Sequence, residues 1–226
     1  MSDDDGDLGA VESRHDLLLR FAEGELAGRT VRGVTAASLA MVAADLDGTR
    51  FEQVDLSASD LSRARLENAV LSQVDFRAAC WSGALWNRVH ATTCDFTEID
   101  MTAATLLRCE LGHLRMPRAI LRGAALRASR FTAVELSRAD LSSAVMTRCQ
   151  FSGYGDGTAS LARVVLAGAA LIEVDLARVN LYAADLRGAL LVRCDLRGAN
   201  LCEADLRGAR LVACALEGAD LEGAVH

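Results

Sequence analysis

Lysine is absent from this chain, so all 24 basic residues are arginine, a bias read as genome composition rather than function. Proline occurs once, at Pro117. No apolar run approaches the ~20 residues of a membrane helix, and no apolar stretch follows the acidic start Met1–Asp5 as a secretory signal requires. A membrane partner is therefore not expected, and the predicted location is cytoplasmic. A basic footprint for nucleic acid is also missing. The net charge is −7, and residues 1–45 carry most of it, with nine acids against four arginines. Residues 46–226 hold 22 acids and 20 arginines and are nearly neutral. None of the seven cysteines forms a C-x-x-C or other zinc-like pair. His90 and His113 lack a convergent ligand set. There is no glycine-rich phosphate loop, nucleophile elbow or isolated acid–base pair, so neither an enzyme nor a cofactor is expected.

What is present is a period of five. From Leu46 to Leu221 every fifth residue is large and apolar, and of these 36 positions only Ala91 and Asp156 are exceptions. A helix repeats its buried face every 3.6 residues and a strand every 2, so neither can bury this series. A fixed internal period points to a repeat architecture. Two residues before each centre the chain is small. Of 36 such positions only Ile99, Leu114 and Tyr154 fall outside Ala, Val, Cys, Ser and Thr. Large and small inward residues at that offset describe a narrow interior filled at native density. Five cysteines, Cys94, Cys109, Cys149, Cys194 and Cys214, occupy this small column and read as structural thiols in a reducing cytosol. Asp or Asn often precedes the centre, and mostly polar residues, Arg or Gly follow it, all facing outward.

Clean copies of the unit are Ala139-Asp140-Leu141, Ala184-Asp185-Leu186, Ala199-Asn200-Leu201, Ala204-Asp205-Leu206 and Ala219-Asp220-Leu221. Looser ones include Val54-Asp55-Leu56, Val74-Asp75-Phe76 and Cys194-Asp195-Leu196. The chain thus resembles the pentapeptide-repeat family, whose unit is A(D/N)LXX. That resemblance implies an all-β fold in which four pentapeptides make one square coil and the coils stack as a right-handed quadrilateral β-helix, a solenoid with contacts only between neighbours. Residues 46–226 then supply about nine coils, a rod ~43 Å long at ~4.8 Å per layer.

In chain order, residues 1–10 are expected to be a disordered acidic tail. Residues 11–25 are expected to form a short N-terminal capping helix. Ser13 begins it, Val11, Leu18, Ala22 and Leu26 share its face, and Gly24 or Gly28 ends it. Residues 26–226 form the β-helix, imperfect until Leu46. Residues 80–93 are its least regular part, because Trp81 and Trp86 need more volume than Leu and Ala91 supplies less. Gly153–Thr158 breaks the pattern and reads as a loop at 153–158 that replaces one pentapeptide, with Asp156 turned to water. The last coil has no second cap in the sequence, so a homodimer through C-terminal coil ends is expected.

Counting by twenty assigns the outward residues to faces. Asp55, Asp75, Asp95, Glu135, Asp175 and Asp195 fall in one column, and Asp60, Asp100 and Asp140 in the next. Asp185 and Asp205 fall in a third with Leu85 and Val145. Such a carboxylate stripe suits solvent or a basic partner. It also suits a plainly structural role, because Asp and Asn serve turns by bonding to nearby backbone, and arginines such as Arg77 and Arg197 can neutralise it. The candidate partner-binding residues are the acids of the first two columns, Asp55, Asp75, Asp95, Glu135, Asp175, Asp195, Asp60, Asp100 and Asp140, together with Tyr154 and Asp156 of the loop. The resemblance implies a non-enzymatic rod of one of two kinds. One is a DNA mimic that binds bacterial DNA gyrase or topoisomerase and shields it from inhibitors. The other is a scaffold or secretion-associated protein-binding module that would use the acidic tail and the loop.

Overall fold

A five-residue step puts one large and one small side chain inside each side of a coil, and the chain must turn a corner before the next. The computed structural model describes residues 10–153 and 159–226. Its corners fall two residues after each centre, where the backbone is left-handed. The run is unbroken at every fifth residue from Gly28 to Arg148 and from Arg163 to Gly223, with φ between 51° and 75°. Left-handed backbone is unfavourable for side chains with a Cβ. Thr93 is the one β-branched residue among these corner positions, and β-branched residues tolerate the conformation least.

The coils stack as four parallel walls, here A to D in chain order. Wall A is a seven-stranded sheet from Thr30–Arg32 to Gln150–Ser152. Wall D is an eight-stranded sheet from Arg65–Glu67 to Arg210–Val212. Walls B and C are held by single bridges, such as Asp55↔Asp75 and Asp60↔Cys80. All pairing is parallel and mostly in register by 20 residues, for example Phe51↔Leu71 and Leu171↔Leu191. The result is a right-handed quadrilateral β-helix. Its described centres are buried from Leu26 to Leu206, Leu46, Leu141 and Leu166 to 0% exposure.

The twenty-residue step fails once. Glu135 bridges Ser160, Asp140 bridges Val165 and Gln150 bridges Asp175, a step of 25 on each wall. One coil therefore contains a pentapeptide more than the others, so the break adds residues where the sequence reading had it replace a unit. Every wall assignment after it moves by one side. The loop itself, including Tyr154 and Asp156, lies outside the described residues, as does the acidic tail apart from Ala10.

The helix α1 spans Arg14–Glu23, shorter than the expected 11–25. Ser13 Oγ accepts the Asp16 N–H, and Gly24 closes the helix at φ 70° with its N–H on the Arg20 and Phe21 carbonyls. Val11 precedes the helix and bridges Val31 as an extra rung of wall A. The face toward the coils is Leu17, fully buried, with Phe21 packed beside it, whereas Leu18 is 37% exposed. Leu17 and Phe21 are one helical turn apart and meet the coil end together.

The irregular stretch resolves within a single coil. Phe76, Trp81, Trp86 and Ala91 are its four centres, and Ala91 leaves room for the indoles. Trp81 packs edge-on to Phe76 at 5.2 Å and to Trp86 at 5.1 Å. Both indole Nε1 atoms are buried without a hydrogen-bond partner among the described residues. An unpaired buried donor costs about 1–3 kcal/mol. Trp81→Phe removes that penalty along with some apolar contact. Its unfolding free energy in urea is expected to lie within about 1 kcal/mol of the parent, well short of a typical aromatic truncation.

Candidate functional site: the outer walls

On walls B and C the amide following each centre has no partner in the backbone ladder, and the preceding Asp supplies one. The Asp55 carboxylate accepts the Ser57 N–H at 2.9 Å, and Asp60, Asp100 and Asp140 accept from Ser62, Thr102 and Ser142 at the same distance. Asp75 and Asp95 do likewise for Arg77 and Thr97. Asp175 and Asp195 do so on wall A for Ala177 and Arg197, at 3.0 Å each. These turns keep an otherwise orphaned donor satisfied, so the Asp of the repeat has a structural task on whichever wall it sits.

The second task is ion pairing. Asp75 meets Arg77 at 2.5 Å, Asp140 meets Arg122 at 2.5 Å and Asp195 meets Arg197 at 2.5 Å. Asp95 reaches Arg115 on the next coil at 3.6 Å. Asp185 and Asp205 pair with Arg187 and Arg207. Asp55, Asp60 and Asp100 make no ion pair among the described residues, and Glu135 is exposed on wall B. The acids therefore form a mosaic with arginine rather than an unbroken negative band.

The longer coil redistributes the candidates. Asp55, Asp75, Asp95 and Glu135 do share wall B, and Asp60, Asp100 and Asp140 share wall C. Asp175 and Asp195 sit on wall A, following Gln150, and not in the column of Asp55. Asp185 and Asp205 continue wall C, not the column of Leu85 and Val145. Removing those two acids leaves wall D without a carboxylate through its C-terminal half, which a count by twenty had hidden. A signal for this existed in the sequence. The small corner residues Gly83, Gly123 and Ser143 resume at Gly168, Gly188 and Gly208, a phase that only a 25-residue step preserves.

Hydrogen bonds from Arg187, Arg197 and Arg207 hold the carboxyls of Asp185, Asp195 and Asp205 below the usual range, Asp205 at about 2. At Asp75 partial burial pushes upward, yet Arg77 outweighs it and the carboxyl also lies low. A folded pKa below the unfolded value of ~3.9 stabilises fully above that value and loses the contribution as pH falls through the folded pKa. The urea midpoint is expected to be flat from neutral pH to about 5 and to fall between about 4 and 2. Arg207→Gln should make that fall shallower. An unchanged midpoint down to about pH 2 would mean that these exposed pairs contribute nothing to stability.

The described residues of the inward small column serve packing. Burial pushes the thiols of Cys94, Cys109 and Cys194 up to about 11. The Cys194 Sγ donates to the Leu171 carbonyl at 3.4 Å. Ser59 and Ser129 make the same bond to Ala36 and Leu106. These are packing residues with a backbone partner. Among the described residues no group of three or more His, Cys, Asp or Glu could hold a metal, and no helix is long and apolar enough to cross a membrane.

Four parallel walls around an apolar filling define a quadrilateral β-helix whose charged side chains, among the described residues, all lie on its outside. The chain belongs to the pentapeptide-repeat family: Pentapeptide repeats match it in eight copies, over residues 42–73, 118–153, 159–198 and 189–225, more than half its length. No curated protein sequence matches it. Among solved structures it is similar to HetL of a Nostoc cyanobacterium, a pentapeptide repeat protein involved in heterocyst differentiation regulation. The two are 24% identical over 93% of each chain, with a TM-score of 0.45. It is also similar to a trypsin-treated form of QnrB1, a plasmid-mediated fluoroquinolone resistance protein, at 19% identity over 92% of this chain and 89% of that one, TM-score 0.49. Likenesses this distant say nothing about function.

Proposed function

We propose that this protein is a non-enzymatic, cytoplasmic interaction rod that meets a protein partner along its outer walls. One observation carries the reading. The interior is filled by apolar side chains from all four walls, so specificity has only the outward residues to work with. A finer reading is a DNA mimic that occupies the DNA-binding surface of DNA gyrase and modulates it or protects it from inhibitors. In its favour are the rod shape and the acids of walls B and C, with Asp55, Asp60 and Asp100 unpaired. The arginine pairing of Asp75, Asp95, Asp140 and Asp195 weakens the negative field a mimic needs and favours the alternative, a scaffold or secretion-associated module. A gyrase supercoiling assay with and without ciprofloxacin separates them. Inhibition or protection at micromolar protein supports the mimic, and neither effect leaves the scaffold.

The end coil supports a homodimer. Leu211 and Leu216 are only partly buried, and Leu221 is 44% exposed. A second copy stacked two-fold on that end would cover them. Light scattering at micromolar concentration is expected to give the mass of a dimer, and a monomer there removes the proposal.

A further inference from the structure

We infer that wall D docks an amphipathic helix of a partner protein, apolar on one face and acidic along one edge. The inference rests on the reading of this rod as a protein-binding module but not on gyrase. Each wall D strand turns its middle residue inward and its first and third outward. From Leu85–Asn87 to Arg210–Val212 those outward positions include Leu107, Val145, Ile172, Leu190 and Val192, with Arg127 and Arg210 as the charged exceptions and no carboxylate. Leu85, Val145 and Val212 are 50%, 46% and 43% exposed. Walls A, B and C all carry acids over the same coils.

The two edges of this wall differ. Where wall C turns into it the corners are small, among them Gly123, Gly188 and Gly208. Where it turns into wall A the corners are basic, with Arg88, Arg108, Arg148 and Arg193 in one column. Glu173 lies in the same column and bridges Arg148 at 2.8 Å and Arg193 at 3.0 Å. Arg108 and the adjacent Arg127 make no ion pair among the described residues. Arg88 reaches Glu67 at 3.6 Å, so the uncompensated positive charge of this edge is at Arg108 and Arg127, and a largely apolar strip with that edge asks for an occupant that is apolar in the middle and negative on one side.

Size selects a helix. Seven strands at ~4.8 Å and three residues at ~3.3 Å give a strip of about 34 by 10 Å. That is roughly 340 Å², well below the ~800 Å² per partner of a stable protein pair, so an occupant of this strip alone binds weakly and reversibly. A helix is ~10–12 Å across and rises ~1.5 Å per residue, so about 22 residues cover the strip along the rod axis.

The test uses two labelled peptides of that length, equally helical, with the same leucine face and either Glu or Lys along one edge. Fluorescence anisotropy with the full chain is expected to show micromolar binding of the Glu-edged peptide, and roughly tenfold weaker binding of the other. Val145→Lys with Leu190→Lys should abolish binding. Arg108→Ala with Arg127→Ala should erase the preference for Glu. Ser72→Lys with Thr132→Lys on wall A should change nothing. Each variant is first checked for an unchanged circular dichroism spectrum and thermal midpoint. No binding of the Glu-edged peptide, equal binding of both peptides, or full binding by the wall D variant overturns the inference. So does a wall D variant that abolishes self-association in light scattering, which would make the occupant a second copy. So does co-sedimentation of the parent, but not that variant, with phosphatidylserine-containing vesicles, which would make it a membrane. A wall D variant that binds neither peptide yet keeps any gyrase effect leaves the gyrase reading standing, and the reverse result leaves wall D standing.

Discussion

Leu141→Asp is expected to prevent folding, whereas Ser142→Asp, one residue along, is expected to change stability by less than about 0.5 kcal/mol. Leu141 is fully buried at the centre of a wall C repeat, and Ser142 is the next residue, partly exposed on the outside. A carboxylate in the interior meets only apolar side chains and the ladder's already paired backbone. It must either stay charged without water or bind a proton and remain unpartnered. The size of the effect can be bracketed by Leu141→Ala, for which a loss of about 2–5 kcal/mol is expected. Leu211→Ala, at the half-open last coil, should lose distinctly less, because part of that side chain is already in water. Urea unfolding followed by circular dichroism measures all four. Equal losses at residues 141 and 142 would contradict the inward and outward assignment on which the fold rests.

Removing five residues is expected to be harmless at one place and ruinous at another. Excision of residues 154–158 takes the long coil to the common step of 20 and leaves every bridge between described residues in place. The thermal midpoint should move by only a few degrees. Excision of residues 96–100 keeps the five-residue period equally well, yet turns every later side by a quarter and removes Phe96, which stacks on Phe76 at 5.2 Å. Side chains that do not meet in the parent are then forced together across that junction, and a loss beyond the ~2–5 kcal/mol of a single large-to-small core change is expected. Similar midpoints for the two excisions would mean that coil length is not constrained as the wall pairing implies.

These two outcomes bear on what could be read before any coordinates. The five-residue period, the small partner column and the outward Asp are local properties, and each is decided by which side chains a narrow interior admits. Five positions suffice to state them, so the inward and outward pattern, the packing role of the cysteines and the turn role of Asp55 or Asp140 are legible in the chain itself, and the four walls are what the family resemblance implies. The helix was legible in its ends and not in its face. Ser13 and Gly24 mark its caps, but three consecutive leucines, Leu17, Leu18 and Leu19, carry no phase. Which of them is buried depends on where the first coil ends.

The amino-acid sequence by itself determined that this polypeptide winds around an apolar axis with its charges outside, because inward and outward are set residue by residue through burial. Only the tertiary structure decided which side each outward residue occupies. That assignment is a running count along the whole chain, and one added pentapeptide turns everything after it by a quarter. The turn carries Asp175 and Asp195 away from Asp55 and removes Asp185 and Asp205 from the wall of Leu85. The strip without carboxylates left there, with arginines along one edge, exists only as a sum over coils.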